Sequence, residues 1–269
     1  MAHSWRGCLL NMKWESIRLF AFISTFSIFS ILEYFFPWRK RELSRLSRWP
    51  SNLLLILVNS LTLRLLLGAG SVGMALVVTA KKWGVVHLLK LTPSLSVDIA
   101  LIIFFDLAIY LQHLASHLIA PLWRLHRVHH TDPDLDVTSA LRFHPLEILL
   151  SMMFKFLLIV ISGASVRSVV LFEVVLSSMA IFNHSNIVIP ERFESLLRKL
   201  FVTPQMHIIH HSVEKTESDT NFGFNLSIWD RLFKTYQESF DSSGVIGQQK
   251  FRLASDQKLT SLLTQPFKK

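Results

Sequence analysis

Residues 97–119 read VDIALIIFFDLAIYLQHLASHLI. The stretch is apolar along nearly its whole length and long enough to cross a bilayer core, which takes about 20 such residues in helical form. Near its carboxyl end it carries His113 and His117, four residues apart and therefore stacked on one helical face. A crossing helix that ends in paired imidazoles places polar chemistry at one membrane face, because ionisable groups at that depth need partners. This helix predicts a helical membrane protein with its site at the helix ends.

Outward from this helix the pattern repeats. Residues 17–36 form an apolar run closed by Pro37 and Trp38, followed by Arg39, Lys40, Arg41, Arg45 and Arg48. The aromatic anchor and the basic loop put that end on the cytosolic side, and the run reads as a retained anchor in preference to a cleaved signal peptide. Within the loop, Leu43, Leu46 and Trp49 suit either a short surface helix or a solvated basic segment. Residues 52–80 are long for one crossing and too short for two, and Gly68, Gly70 and Gly73 interrupt them, so a tilted or broken helix is expected. Residues 146–161 and 168–182, joined by Ser162-Gly163-Ala164, predict a hairpin that leaves and returns on one side, bringing His184 back to the face of His113. Residues 190–202 have the amphipathic pattern of an interfacial helix, and residues 240–250 that of an exposed loop.

Composition agrees: the chain is 51% hydrophobic and 17% charged, with a mean hydropathy of +0.39. The net charge of +9 comes from basic residues scattered beside apolar segments, which favours anionic lipid head groups and argues against nucleic acid. The single cysteine, Cys8, excludes an intrachain disulfide and any cysteine-based metal site. These features predict an all-α integral membrane protein of about four or five spanning or re-entrant helices with a cytosolic histidine-rich cap. By segment, residues 1–96 are amino-terminal membrane helices, 97–239 a catalytic module and 240–269 a carboxyl-terminal tail.

Ten of the twelve histidines lie between His113 and His211. Three groups, His113/His117, His126/His129/His130 and His207/His210/His211, supply eight imidazoles, four for each of two ions. His144 and His184 stand apart, each as a further ligand or an outer hydrogen-bond donor. Neutral nitrogen ligands suit iron, zinc, copper or nickel. No H-E-x-x-H is present, and neither H-x-x-H-H group encloses a carboxylate to act as general base, so oxygen chemistry is favoured over hydrolysis. Asp106 and Tyr110 share the helical stripe of His113 and His117; Asp106 is placed either to support a ligand or to pair with Arg64.

The ordered blocks Asp106-Leu107-x-x-Tyr110-x-x-His113-x-x-x-His117, Trp123-Arg124-x-His126-x-x-His129-His130, Arg142-Phe143-His144-Pro145-x-Glu147, Asn183-His184-Ser185-Asn186, Thr203-Pro204-x-x-His207-x-x-His210-His211 and Asn221-Phe222-Gly223 leading to Trp229-Asp230 resemble the fatty acid hydroxylase superfamily in its sterol-desaturase-like branch. Leu114 departs from an arginine frequent in that branch. The resemblance implies a membrane non-haem di-iron oxygenase that hydroxylates or desaturates C–H bonds of a membrane lipid, sterol-like, fatty acyl or other. It implies two iron ions, replaceable by zinc on isolation, with O2 as co-substrate. The eight grouped histidines would hold the metals, His144 and His184 in support, with Asp106 and Tyr110 as catalytic-site residues. The chain carries no C-x-x-C-H, and electrons would come from a ferredoxin or cytochrome b5-like partner with its reductase. A histidine-lined metal transporter and a membrane zinc hydrolase are the alternative classes.

Overall fold

The computed structural model describes residues 2–242 and 244–268, and for residues 2–12 the backbone alone, so the Cys8 side chain lies outside the described residues. Among these residues every regular element is helical, and the only pairings of extended chain are isolated bridges such as Pro37 with Ile187. The first helices are α1 (Ala2–Phe35), α2 (Arg45–Leu67), α3 (Ser71–Lys81), the single turn α4 (Val85–Leu88) and α5 (Leu95–Leu118). They are followed by α6 (Ala120–His130), α7 (Pro145–Ser162), α8 (Val166–His184), α9 (Glu191–Leu197), α10 (Pro204–His210), α11 (Lys215–Ser218), α12 (Ile228–Phe233) and α13 (Leu259–Thr264). Five stretches are long and apolar enough to cross a membrane: Lys13–Phe35, Arg45–Leu88, Leu95–Leu118, Pro145–Ser162 and Val166–His184.

The expected break in the second crossing falls at Gly68 to Gly70, where α2 ends at a positive-φ glycine and α3 begins. The hairpin α7–α8 forms as its sequence predicts and turns at Gly163, whose φ of 77° favours glycine. Here a second requirement acts: a Cβ on Gly84 would lie 2.2 Å from the Gly163 backbone nitrogen, so the α3–α4 turn and the hairpin tip approach closely only without side chains. The membrane core between α3, α5, α7 and α8 is Ala75, Val78, Leu101, Phe105, Ile109, Leu158, Ile159, Val169 and Phe172. Outward-facing Phe20, Leu57 and Leu65 remain exposed, as residues meant for lipid are.

α1, α5 and α8 run toward the histidine end and α2 and α7 run away from it. A buried ionic clamp closes that end. Arg48 donates through Nε to Asp132 Oδ1 (2.6 Å) and through Nη1 to Asp136 Oδ2 (2.9 Å), while Trp49 Nε1 also donates to Asp136 (2.9 Å). Against the cost of burial, Arg48 and Arg142 hold the Asp132 carboxyl below its usual range. Glu33 of α1 accepts from the backbone of Val137 and Asn186, tying the ends of α1 and α8 to the loop between α6 and α7. The basic loop is therefore neither a surface helix nor a solvated segment throughout: Arg48 is fully buried and Trp49 packs on Phe26.

One further expectation needs correction. Residues 240–250 are irregular but not wholly exposed, since Ile246 is buried with Leu135, Ile208 and Ile209. The tail is part of the cap as well. Leu262 packs on Leu55 and Val128, and Gln265 accepts from Thr131 Oγ1 at 2.9 Å. Short helix α9 has the predicted amphipathic character: Phe193 and Leu196 are exposed, while Glu194 is buried and paired with Arg198 at 2.6 Å.

Candidate metal centre

Nine histidines converge at the cap, in two groups. His113, His117, His126, His130 and His210 form one, and His129, His184, His207 and His211 the other; within each, one ring nitrogen per residue lies within 4.8 Å of the rest. Every one of these rings is buried. The partition differs from one ion per sequence motif. On helix α6, His126 and His130 are one turn apart and face the same way, whereas His129 is rotated by about 60° from His126 and faces the second group. The carboxyl end of α10 divides in the opposite sense, giving His210 to the five-histidine group and His207 and His211 to the four-histidine group.

Hydrogen bonds on the outer ring nitrogens set the tautomers. His113 Nδ1 lies 2.8 Å from the Phe222 carbonyl, His210 Nδ1 2.7 Å from the Thr220 carbonyl and His184 Nδ1 2.7 Å from the Ala180 carbonyl. His126 Nδ1 meets Glu147 Oε1 at 2.6 Å and His117 Nδ1 meets Asp219 Oδ1 at 3.3 Å. A carbonyl only accepts, so the proton sits on Nδ1 and Nε2 presents a bare lone pair. Those lone pairs face one another: His113 Nε2 is 3.1 Å from His126 Nε2 and 3.0 Å from His210 Nε2. In the second group His184 Nε2 is 3.0 Å from His129 Nε2 and 3.1 Å from His207 Nε2.

Neutral lone pairs at that separation repel, and a cation among them removes the repulsion. Adjacent nitrogens at right angles around a centre with bonds of about 2.1 Å are about 3.0 Å apart, so the donor set fits a transition-metal ion in each group. The rings are also in the protonation state that ligation needs. Burial, reinforced by neighbouring imidazoles, pushes His129, His130, His207 and His211 well below the usual histidine range, and burial takes His210 down to about 3.

His184, expected as ligand or support, is brought into the second group. His144 is not gathered. It caps α7, accepting from the Leu146 backbone N–H through Nδ1 (3.2 Å), while Nε2 lies 3.2 Å from the Leu263 carbonyl, because Pro145 starts the helix there and turns the ring toward the tail. Among the described residues Asp106 hydrogen-bonds no histidine and no arginine. Its carboxylate accepts from Trp229 Nε1 (2.8 Å) and from the backbone of Asn225 and Leu226, and Tyr110 bonds Thr235 Oγ1 at 2.8 Å. Both residues fasten the loop that carries the Phe222 carbonyl, aided by Asp230, which accepts from the backbone of Phe222 and Gly223. Spacing did not single out Glu147 or Asp219 as histidine partners; the one available signal was a carboxylate in the first turn of a helix beginning at His144-Pro145. Among the described residues no second histidine group lies at the far end.

A cavity of about 360 Å³ reaches His113 and His126 from between α2, α5, α7 and α8, and none of the four-histidine group lines it. Comparison with known proteins bears on this arrangement. The fatty acid hydroxylase family pattern matches residues 99–235. An ornithine lipid hydroxylase of Rhizobium tropici is 30% identical over 131 residues, 49% of this chain and 39% of that protein. Alkylglycerol monooxygenase of Homo sapiens is 29% identical over 132 residues, 49% of this chain and 28% of its own length. That of Xenopus tropicalis is 28% identical over 136 residues, with the same two shares. The chain thus covers well under half the length of these relatives, and no solved structure matches it. With the family pattern spanning residues 99–235, from the crossing that bears the first histidine pair to the loop held by Asp106, the chain belongs to the fatty acid hydroxylase family.

Proposed function

We propose that the protein is an O2-dependent lipid hydroxylase holding two iron ions, one in each histidine group. The observation that carries this reading is the convergence of bare, buried imidazole nitrogens in two groups, one of which borders a largely apolar cavity within the crossings. His113, His117, His126, His130 and His210 would hold the ion beside the cavity, and His129, His184, His207 and His211 the ion behind it. Bound iron would supply the chemistry by which O2, reduced with electrons from a donor, attacks an unactivated C–H bond. One oxygen atom enters that bond, and the other leaves as water with two electrons and two protons from an external donor.

The chain's own residues orient and protect. Glu147, Asp219 and the carbonyls of Phe222, Thr220 and Ala180 keep Nδ1 protonated and Nε2 turned inward on five of the nine rings. Phe143 stacks on His129 with ring centroids 4.5 Å apart, closing the site against water. The cavity walls present a lipid segment to the His113–His126 edge.

Both kinds of relative are named for oxygen insertion, which supports hydroxylation over desaturation. The basic residues Arg39, Lys40 and Arg41 at the histidine end support a cytosolic position, and a ferredoxin or cytochrome b5-like protein fits as donor. Residues 97–239 would form the catalytic module, with 1–96 and 240–269 clamping it.

Iron-supplemented protein should retain two ions per chain, and lipid product formed under isotopically labelled O2 should carry the label. Full turnover under strict anaerobiosis would end the oxygenase reading. Turnover that needs O2 but leaves the product unlabelled would replace hydroxylation by desaturation.

A further inference from the structure

The cavity beside the five-histidine group is not uniformly greasy. Ile56, Leu63, Ile109 and Leu176 supply apolar wall, but Asn59, Gln112 and Glu147 interrupt it. Each of the three holds a buried oxygen without a hydrogen-bond donor: Asn59 Oδ1, Gln112 Oε1 and Glu147 Oε2. Their other polar atoms are engaged. Asn59 Nδ2 donates to the Phe143 carbonyl (3.0 Å), which can only accept, so the amide orientation is set and Oδ1 is the free end. Gln112 Nε2 donates to Ser151 Oγ (2.9 Å), and Glu147 spends Oε1 on His126 (2.6 Å).

All three unmatched groups are acceptors. An acceptor without a donor at this depth costs free energy that a saturated hydrocarbon does nothing to relieve. The opposite end of the cavity is also wrong for an alkyl terminus. Lys155 Nζ and Arg18 Nε grip Glu173 at 2.8 and 2.9 Å, forming a charged floor about 12 Å from Glu147 along α7.

Resting on the hydroxylase reading, we infer that this cavity takes the polar-substituted part of a lipid bearing hydrogen-bond donors, hydroxyl or ammonium. Asn59, Gln112 and Glu147 receive those donors, the apolar tail stays outside toward the bilayer, and the C–H bond presented to the metal edge lies within a few bonds of the donor group. A mid-chain methylene of an unsubstituted acyl tail is excluded, because seating it would leave three acceptors dry. Sites built to bond a polar hydrogen discriminate strongly against analogues that lack it.

The test uses the full chain in phosphatidylcholine nanodiscs and two matched probe pairs. Hexadecylglycerol is compared with its dimethyl ether, and hexadecylammonium with hexadecyltrimethylammonium, so that each pair shares chain and charge and differs in donors. Binding is measured on metal-free protein by native mass spectrometry, and product on iron-loaded protein with O2 and a reductant. At least one donor-bearing probe should bind about 100-fold more tightly than its capped partner. In Gln112→Met, a near-isosteric change at a partly exposed site, the ratio should shrink at least about threefold, and in Asn59→Leu more. Capped and uncapped probes binding equally would overturn the inference, as would a preference untouched by both substitutions. Donor-selective binding with no O2-dependent product would instead remove the hydroxylase reading and leave the binding assignment standing.

Discussion

The two histidine groups share elements and ligand chemistry but differ in how their rings are held. In the five-histidine group, four rings have an outer nitrogen fastened, two of them by the carboxylates Glu147 and Asp219. In the four-histidine group only His184 is fastened, and the outer nitrogens of His129, His207 and His211 meet no partner among the described residues. The fastened group borders the cavity between the crossings. Fixed tautomers and fixed ring angles are thus concentrated where a substrate would have to be met at a defined geometry, and the group behind it is built with less support.

The strongest way to break this contrast is to delete one ligand from each group. His126→Ala and His207→Ala should each lose activity by more than the roughly 10- to 100-fold typical of changes to outer partners. Each should also lose one ion per chain by elemental analysis, with membrane insertion intact, since the apolar spans decide insertion. Retention of both ions in His207→Ala would dissolve the second group. Next in size is Glu147→Gln, which should weaken metal retention by about 10- to 100-fold without unfolding the protein. Graded chelation sharpens the comparison: the less supported group should empty first, giving a plateau at one ion per chain. Simultaneous loss of both ions would show that the hydrogen bonds to the outer nitrogens do not set retention.

A smaller effect is expected from pH. Burial holds His129, His130, His207 and His211 well below the usual histidine value of about 6.5 and takes His210 down to about 3. Below about 6.5 the unfolded chain therefore binds more protons than the folded one. The stability of the metal-free protein is full above that pH and falls as pH drops toward the folded values. Thermal unfolding followed by circular dichroism should show this fall between about pH 6.5 and 3, and a flat profile would mean the rings are less buried than the structure has them. The least effect on metal belongs to Asp106→Asn. It should cost about 1–3 kcal/mol of stability by unfastening the 225–229 loop, with metal content unchanged; loss of an ion would restore Asp106 as a support for a metal ligand.

The crossings were legible because hydropathy and helix length are one-dimensional properties, and the histidine pairs because four residues make one turn. What spacing did not resolve was the division of His126 from His129, since that depends on which neighbour lies on each side of α6. His144 has the same side chain as the gathered rings but stands at a helix amino terminus, where a capping bond takes its Nδ1. Asp106 shares a stripe with His113, yet its carboxylate turns to a loop over a hundred residues later in the chain. Pairings across such separations leave no local periodicity to read.

The Arg48–Asp132 contact also has a consequence in time. The two residues are 84 positions apart. At translation rates of about 5–20 residues per second, the guanidinium exists for roughly 4–17 seconds before its carboxylate is made. Through that interval Arg48 joins the positive charges that hold the start of α2 on its own side of the bilayer. When the 132–136 loop arrives, the same charge passes from a topological signal to a buried clamp, so the orientation of the early crossings is settled before the later histidine-bearing helices exist to depend on it.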